Sequence, residues 1–124
     1  MKNFKLVALL LFLGIVVSCK KAPTAVTLSS DKTALIKGET AYFTLNVEGD
    51  ATWYEIFRKS PGETSYTTYG GSTSVNYFRF TTDSTTQIGT YYFYAEARNC
   101  GKGNTESGKK CKSLISSDIT ITVN

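Results

Sequence analysis

The feature that most constrains the fold of this 124-residue chain is an alternation of apolar and polar side chains. From Thr40 to Glu48 every second residue is apolar, and Gly89 to Arg98 repeats the pattern over a longer stretch. Because successive side chains of a β-strand point to opposite faces, each stretch predicts a strand with one buried face. The predicted inward residues are Ala41, Phe43, Leu45 and Val47 in the first strand, and Tyr91, Phe93, Ala95 and Ala97 in the second.

Shorter runs rich in Thr, Ser, Tyr, Val and Ile fill most of the remaining chain, and turn residues such as Gly49-Asp50 separate them. These residue types favour strands, and no stretch combines a 3.6-residue period with helix caps. The predicted strands are Val26–Leu28, Thr33–Ile36, Thr40–Glu48, Thr52–Lys59, Ser65–Tyr69, Ser74–Thr81, Gly89–Arg98 and Leu114–Val123.

About seven or eight strands, with turns roughly every 8 to 12 residues, are typical of a β-sandwich. The Gly89-Thr90-Tyr91 step resembles the tyrosine corner of strand F in immunoglobulin-like and fibronectin type III-like domains, and Trp53–Ile56 resembles their strand C. The resemblance implies an all-β, immunoglobulin-like antiparallel sandwich over residues 26–124. It also implies that the Tyr91 hydroxyl bonds to backbone just upstream. The Ig-like and fibronectin-like topologies both remain open.

The intersheet cysteine pair of antibody domains is absent, so Phe43 or Leu45 and Phe93 are expected to fill that space. Strand C has two possible registers. If Trp53 pointed inward, Glu55 would be buried with it, and an unpaired buried carboxylate is costly. The pattern therefore favours Tyr54 and Ile56 inward, with Trp53 and Phe57 outside.

The N-terminal segment resembles an export signal. Lys2 and Lys5 precede the apolar run Leu6–Val17, which has the length of a signal-peptide core and is too short for a comfortable membrane span. Val16-Val17-Ser18-Cys19 follows and resembles the lipobox of bacterial lipoproteins. That resemblance implies a cleaved signal helix (residues 1–18) and a lipidated tether (residues 19–25). Cys19 would carry diacylglycerol and acyl chains such as palmitate. A conventional secretory leader or a membrane helix with an incidental cysteine is the alternative.

In many bacterial lipoproteins, an Asp directly after the lipidated cysteine retains the protein in the inner membrane. Here that position is occupied by Lys20 instead. The resemblance therefore implies a cell-envelope protein of the outer membrane. Whether it faces the periplasm or the cell surface stays open.

The chain has three cysteines, and if Cys19 carries lipid, two remain that could pair with each other. The mature chain would enter an oxidising compartment, so we expect Cys100 and Cys111 to form a disulfide that clamps the loop between strands F and G. Two free thiols, or part of a metal site, are the alternatives. No histidine is present, so a zinc site would lack ligands.

Catalytic motifs are missing. The absence of histidine removes Ser–His and Cys–His pairs, and no phosphate loop or nucleophile elbow occurs. Glu48, Asp50 and Glu55 could meet near one turn, but we expect solvated turn acids there. The sequence predicts a non-enzymatic protein without metal or cofactor.

Basic residues gather near the two paired cysteines, and the formal net charge is +4. The candidate basic loop contains Lys102, Lys109, Lys110 and Lys112. Aromatic residues are not interleaved with these lysines, so an anionic glycan or a membrane surface is a better partner than nucleic acid. A loop that only improves solubility is the alternative.

Strands C and F are neighbours in this kind of sandwich, so the favoured register places four rings on one outer face. This candidate ligand face consists of Trp53, Phe57, Tyr92 and Tyr94. Exposed aromatic patches tend to be interaction sites, although cross-strand ring pairs can also simply stabilise a sheet. The leading hypothesis is a lipid-anchored binding or adhesion module for a glycan or an envelope protein. The alternative is a structural or accessory subunit of an envelope assembly, such as a polysaccharide-uptake or secretion complex.

Overall fold

The computed structural model describes residues 22–100 and 111–124, and the fold is all-β. Within these residues the chain forms nine strands and one 3-10 helix, Val75–Tyr77. The strands are β1 (Ala25–Ser30), β2 (Ala34–Leu35), β3 (Thr40–Glu48), β4 (Trp53–Lys59), β5 (Thr67–Ser72), β6 (Arg79–Thr81), β7 (Gly89–Asn99), β8 (Lys112–Ile115) and β9 (Ile119–Val123).

Two sheets form the sandwich. The first has the order β1-β3-β6, and the second has the order β2-β9-β7-β4-β5, with β8 also paired to β7. All pairs are antiparallel except β2 with β9, which run parallel. In immunoglobulin lettering these sheets are A-B-E and A′-G-F-C-C′, so the predicted immunoglobulin-like sandwich is confirmed.

The expected count of seven or eight strands differs from the nine in the described residues, chiefly because the last predicted strand is divided. At Ser116 the backbone N–H donates to the Ala95 carbonyl (2.8 Å), while the Ser116 hydroxyl accepts the Ala95 N–H (2.9 Å). The side chain thus takes a position in the ladder that backbone would occupy. Pairing is interrupted there, and β8 and β9 are separate strands.

Two other strand predictions need correction. The run predicted as one strand, Ser74–Thr81, begins as the 3-10 helix, and only Arg79–Thr81 is strand. The strand predicted over Ser65–Tyr69 lies later, at Thr67–Ser72, and continues through Gly70-Gly71 rather than ending there.

The core lies between the sheets and is rich in aromatic rings. Phe93 is fully buried at its centre, and its ring centroid lies 4.9 Å from that of Phe43 and 5.2 Å from that of Phe80. Phe43 and Phe93 therefore fill the space between the sheets, as predicted. The inward residues predicted for β3 and β7 are buried, apart from Val47, which is partly buried and packs against the core.

The tyrosine corner is present. The Tyr91 hydroxyl donates a hydrogen bond of 2.6 Å to the carbonyl oxygen of Gln87, four residues upstream. The Tyr91 ring is buried and packs against Phe80. The side chain therefore fastens the loop before β7 to the core, which confirms the role expected from the Gly-x-Tyr step.

Cys100 and Cys111 form the predicted disulfide, which joins the end of β7 to the start of β8. Residues 101–110, between the two cysteines, lie outside the described residues, as do residues 1–21. The predicted signal helix, the lipidation site Cys19 and three of the loop lysines, Lys102, Lys109 and Lys110, therefore fall outside what the structure describes. No helix in the described ranges is long and apolar enough to cross a membrane.

Candidate binding face

Strand β4 adopts the favoured register. Ile56 is fully buried and Tyr54 packs against the core, so Trp53 and Phe57 lie on the outer face of the second sheet. Phe57 is directly opposite Tyr94 of β7. The sheet therefore brings strands C and F side by side, as expected.

Three of the four predicted rings belong to a compact group. The rings of Phe57 and Tyr94 stack with centroids 4.8 Å apart and planes 15° apart. The edge of Tyr66 meets Tyr94 with the same centroid distance of 4.8 Å. We call Phe57, Lys59, Tyr66, Tyr92 and Tyr94 the aromatic cluster.

Lys59 joins two of the rings in this cluster. Its ammonium nitrogen lies 4.7 Å from the centroid of Tyr92 and 5.1 Å from that of Tyr66. Both distances fall in the range of cation–π attraction. The cluster thus combines flat apolar surface with one positive charge held at a defined place.

Tyr66 was not among the predicted site residues. Burial, followed by the effect of the Asp118 carboxylate, raises the pKa of Tyr66 to about 12. Tyr66 precedes β5, whose pairing with β4 brings it to this face, whereas Asp118 precedes β9. No pattern along the chain indicates that these two residues meet, since the order of the strands decides it.

Trp53 stands apart from the aromatic cluster. Between them, the next outward residues of β4 and β7 form an ion-paired group. Arg98 Nη2 lies 2.6 Å from Glu55 Oε1, and Arg98 Nε lies 3.0 Å from Glu96 Oε1. The four predicted rings therefore form a row interrupted by charge and not one continuous patch.

Glu55 holds several neighbours together. Its carboxylate accepts hydrogen bonds from Trp53 Nε1 and Thr68 Oγ1, each of 3.2 Å, besides pairing with Arg98. Glu55 is half-buried, so the expectation of a solvated turn acid is wrong for this residue. Its charge is balanced by Arg98, which is why it is tolerated beside an indole.

Because Gly71 has no side chain, the Trp53 indole can pack closely against β5. The indole lies so close over Gly71 of β5 that a Cβ at that position would clash with it. Trp53, Phe57, Tyr66 and Tyr94 are all half-buried, whereas Tyr92 is 36% exposed. Tyr92 is therefore the most accessible ring of the candidate ligand face.

The candidate basic loop is described only at its end. Lys112 is the first residue of β8 and is exposed. In the described parts of the chain, no group of three or more cysteine or acidic side chains could hold a metal ion.

No protein-family model and no curated protein sequence matches this chain.

Proposed function

We propose that this chain is a lipid-anchored cell-envelope protein that acts as a non-enzymatic binding module. The observation that carries the binding role is the aromatic cluster on the outer face of the second sheet. Tyr92 is exposed there, and Lys59 is held against it. Tyrosine combines a flat apolar body with a polar tip, which suits contact with sugar rings or with a protein partner.

The cluster also contributes to stability, which is the main competing explanation. Cross-strand ring pairs such as Phe57 with Tyr94 stabilise a sheet by roughly 0.2–1 kcal/mol each. That role accounts for half-buried, stacked rings. Lys59 and Tyr92 are also directly opposite each other in the strand register, but the Tyr92 ring stays 36% exposed, and this part of the cluster is where the proposed ligand would lie.

The anchor would determine how the domain is held. Ala22 lies against Gly49 at the turn between β3 and β4, and the Thr24 N–H donates to the Glu48 carbonyl (2.8 Å). An extended chain spans at most about 3.5 Å per residue, so a lipid at Cys19 would lie within roughly 10 Å of Ala22. That end of the sandwich would then be nearest to the membrane.

The same end would place Lys112 near the lipid surface. The disulfide at the end of β7 lies there, because the Cys100 N–H donates to the Thr52 hydroxyl (3.3 Å) beside the turn between β3 and β4. Lys112 follows the disulfide, and each lysine near an anionic surface contributes about 1 kcal/mol of attraction. The outer faces of both sheets would stay free for ligands.

The test replaces Tyr92 in the full-length chain with a photo-crosslinking phenylalanine analogue, in the envelope of a producing bacterium. Thr27 of β1 is exposed on the other sheet and is the matched control position. We expect glycan or protein adducts from position 92 and none from position 27. Tyr92→Ala should weaken capture of the same partner at least about tenfold, equivalent to 1.4 kcal/mol, without lowering the melting temperature appreciably. Equal adducts at both positions, or none at position 92, would contradict the binding role.

A further inference from the structure

A second aromatic surface lies on the opposite sheet. Tyr42 of β3 is 56% exposed, and Tyr77 at the end of the 3-10 helix is 77% exposed. Arg79 of β6 is directly opposite Tyr42 in the strand register. Neither tyrosine ring stacks on another ring among the residues that the structure describes.

The local fold makes this surface concave. Phe78 is buried, and its carbonyl accepts the Phe43 N–H (3.1 Å), which fixes the 3-10 helix beside β3. Because Phe78 points inward, its neighbours Tyr77 and Arg79 are left exposed. A cavity of about 330 Å³ results, lined by Tyr42, Asn76, Tyr77, Phe78 and Arg79.

The charge of this cavity is positive. Arg79 is exposed and forms no ion pair with any residue in the described ranges. No acidic residue lines the cavity. Glu39, three residues before Tyr42, pairs with Lys32, and the Asp31 carboxylate, which lies beside Tyr42, accepts the Tyr42 backbone N–H (2.8 Å).

We infer that this cavity binds a sugar residue that carries a carboxylate. A guanidinium presents two parallel N–H donors that match a carboxylate, and Arg79 has no competing acid in the cavity. The rings of Tyr42 and Tyr77 offer flat apolar surface to the C–H face of a sugar ring, and the Asn76 amide can both donate to and accept from hydroxyl groups. The volume lies at the low end for ligand pockets, which suits one or two rings of an acidic polysaccharide.

This site is separate from the aromatic cluster, since the two lie on the outer faces of opposite sheets. Its success or failure therefore does not depend on the binding role of Tyr92. A domain with two such faces would hold an acidic polysaccharide at one face while the other contacts a second ligand.

The test measures calorimetric binding of the full-length chain, solubilised in detergent, to short oligosaccharides ending in glucuronate, galacturonate or sialate. Each sugar is paired with its methyl ester, which removes the charge and keeps the ring. At least one acid should bind, and its ester should bind at least about tenfold more weakly. Arg79→Gln should abolish the preference for the acid, and Tyr77→Ala should weaken both forms. Lys37→Gln, which removes an exposed positive charge outside the cavity, is the control and should leave both affinities unchanged.

Binding of no acidic sugar, equal binding of acid and ester, or an unchanged preference in Arg79→Gln would overturn the assignment. Competition by acetate as strong as that of the sugar acid would reduce the site to a simple anion contact and would also overturn it. Both substituted residues are exposed, and unchanged circular dichroism and melting temperature would show that each variant is folded.

Discussion

Removing one oxygen atom tests whether the tyrosine corner stabilises the fold. In Tyr91→Phe the ring remains and keeps its contact with Phe80, while the 2.6 Å bond to the Gln87 carbonyl is lost. A hydrogen bond of this kind contributes about 0.5–1.5 kcal/mol net. Gln87 is exposed, so water can replace the lost partner at its carbonyl. We therefore expect a loss of about 1 kcal/mol in the free energy of unfolding.

Urea unfolding of the full-length chain measures this loss. For a small domain the slope is about 1–2 kcal/mol per molar urea, so the midpoint should fall by roughly 0.5–1 M at unchanged slope. Tyr92→Phe is the matched control, because it removes the hydroxyl of the next residue. That hydroxyl has no hydrogen-bond partner in the part of the chain that the structure describes, and its removal should change stability by less than about 0.5 kcal/mol. Equal midpoints for the two variants would refute the reasoning.

Three further predictions concern the second sheet and its disulfide. Gly71→Ala should displace the indole of Trp53, the single tryptophan, and shift its fluorescence to the red, whereas Gly70→Ala, where a Cβ meets only ordinary contacts, should not; equal spectra would show that the indole does not lie on Gly71. The pKa of Tyr66 is raised from its ordinary value of 10.0 to about 12, so the folded chain holds this proton more tightly than the unfolded chain. The contribution of Tyr66 to the free energy of unfolding should therefore be complete below pH 10 and be lost as the pH rises toward 12. Tyr66→Phe should remove the latest step of the tyrosinate absorbance titration, and an unchanged titration would count against the raised pKa of Tyr66. Reduction of Cys100–Cys111, which are 11 residues apart, should cost about 3 kcal/mol of stability, and two thiols that titrate in the native chain would disprove the bridge.

Patterns local to one strand predicted much of this fold. The two-residue alternation of β3 and β7 correctly identified the buried faces, because one face of each strand packs against the other sheet. The register of β4 was predicted correctly from the free-energy cost of burying the Glu55 carboxylate without a partner. The Gly-x-Tyr step predicted the bond from Tyr91, since that bond spans only four residues.

Contacts between distant segments were not predictable in the same way. Tyr66 reaches the aromatic cluster only because β5 pairs with β4, and no periodicity indicates that pairing. Arg98 and Glu55 are 43 residues apart, yet their ion pair separates Trp53 from the other rings. The cavity beside Tyr42 depends on a 3-10 helix in a run whose composition favours a strand.

The lipid proposed at Cys19 would set the compartment, the orientation and the free faces of the domain. The most direct test is mass spectrometry of the N-terminal peptide of the chain, produced in a bacterium with two membranes. We predict that the mature chain begins at Cys19 and carries a diacylglyceryl group on its sulfur, and that Cys19→Ala stays an unlabelled, uncleaved precursor. A mature chain that begins at another residue, or that carries an unmodified Cys19, would contradict the account.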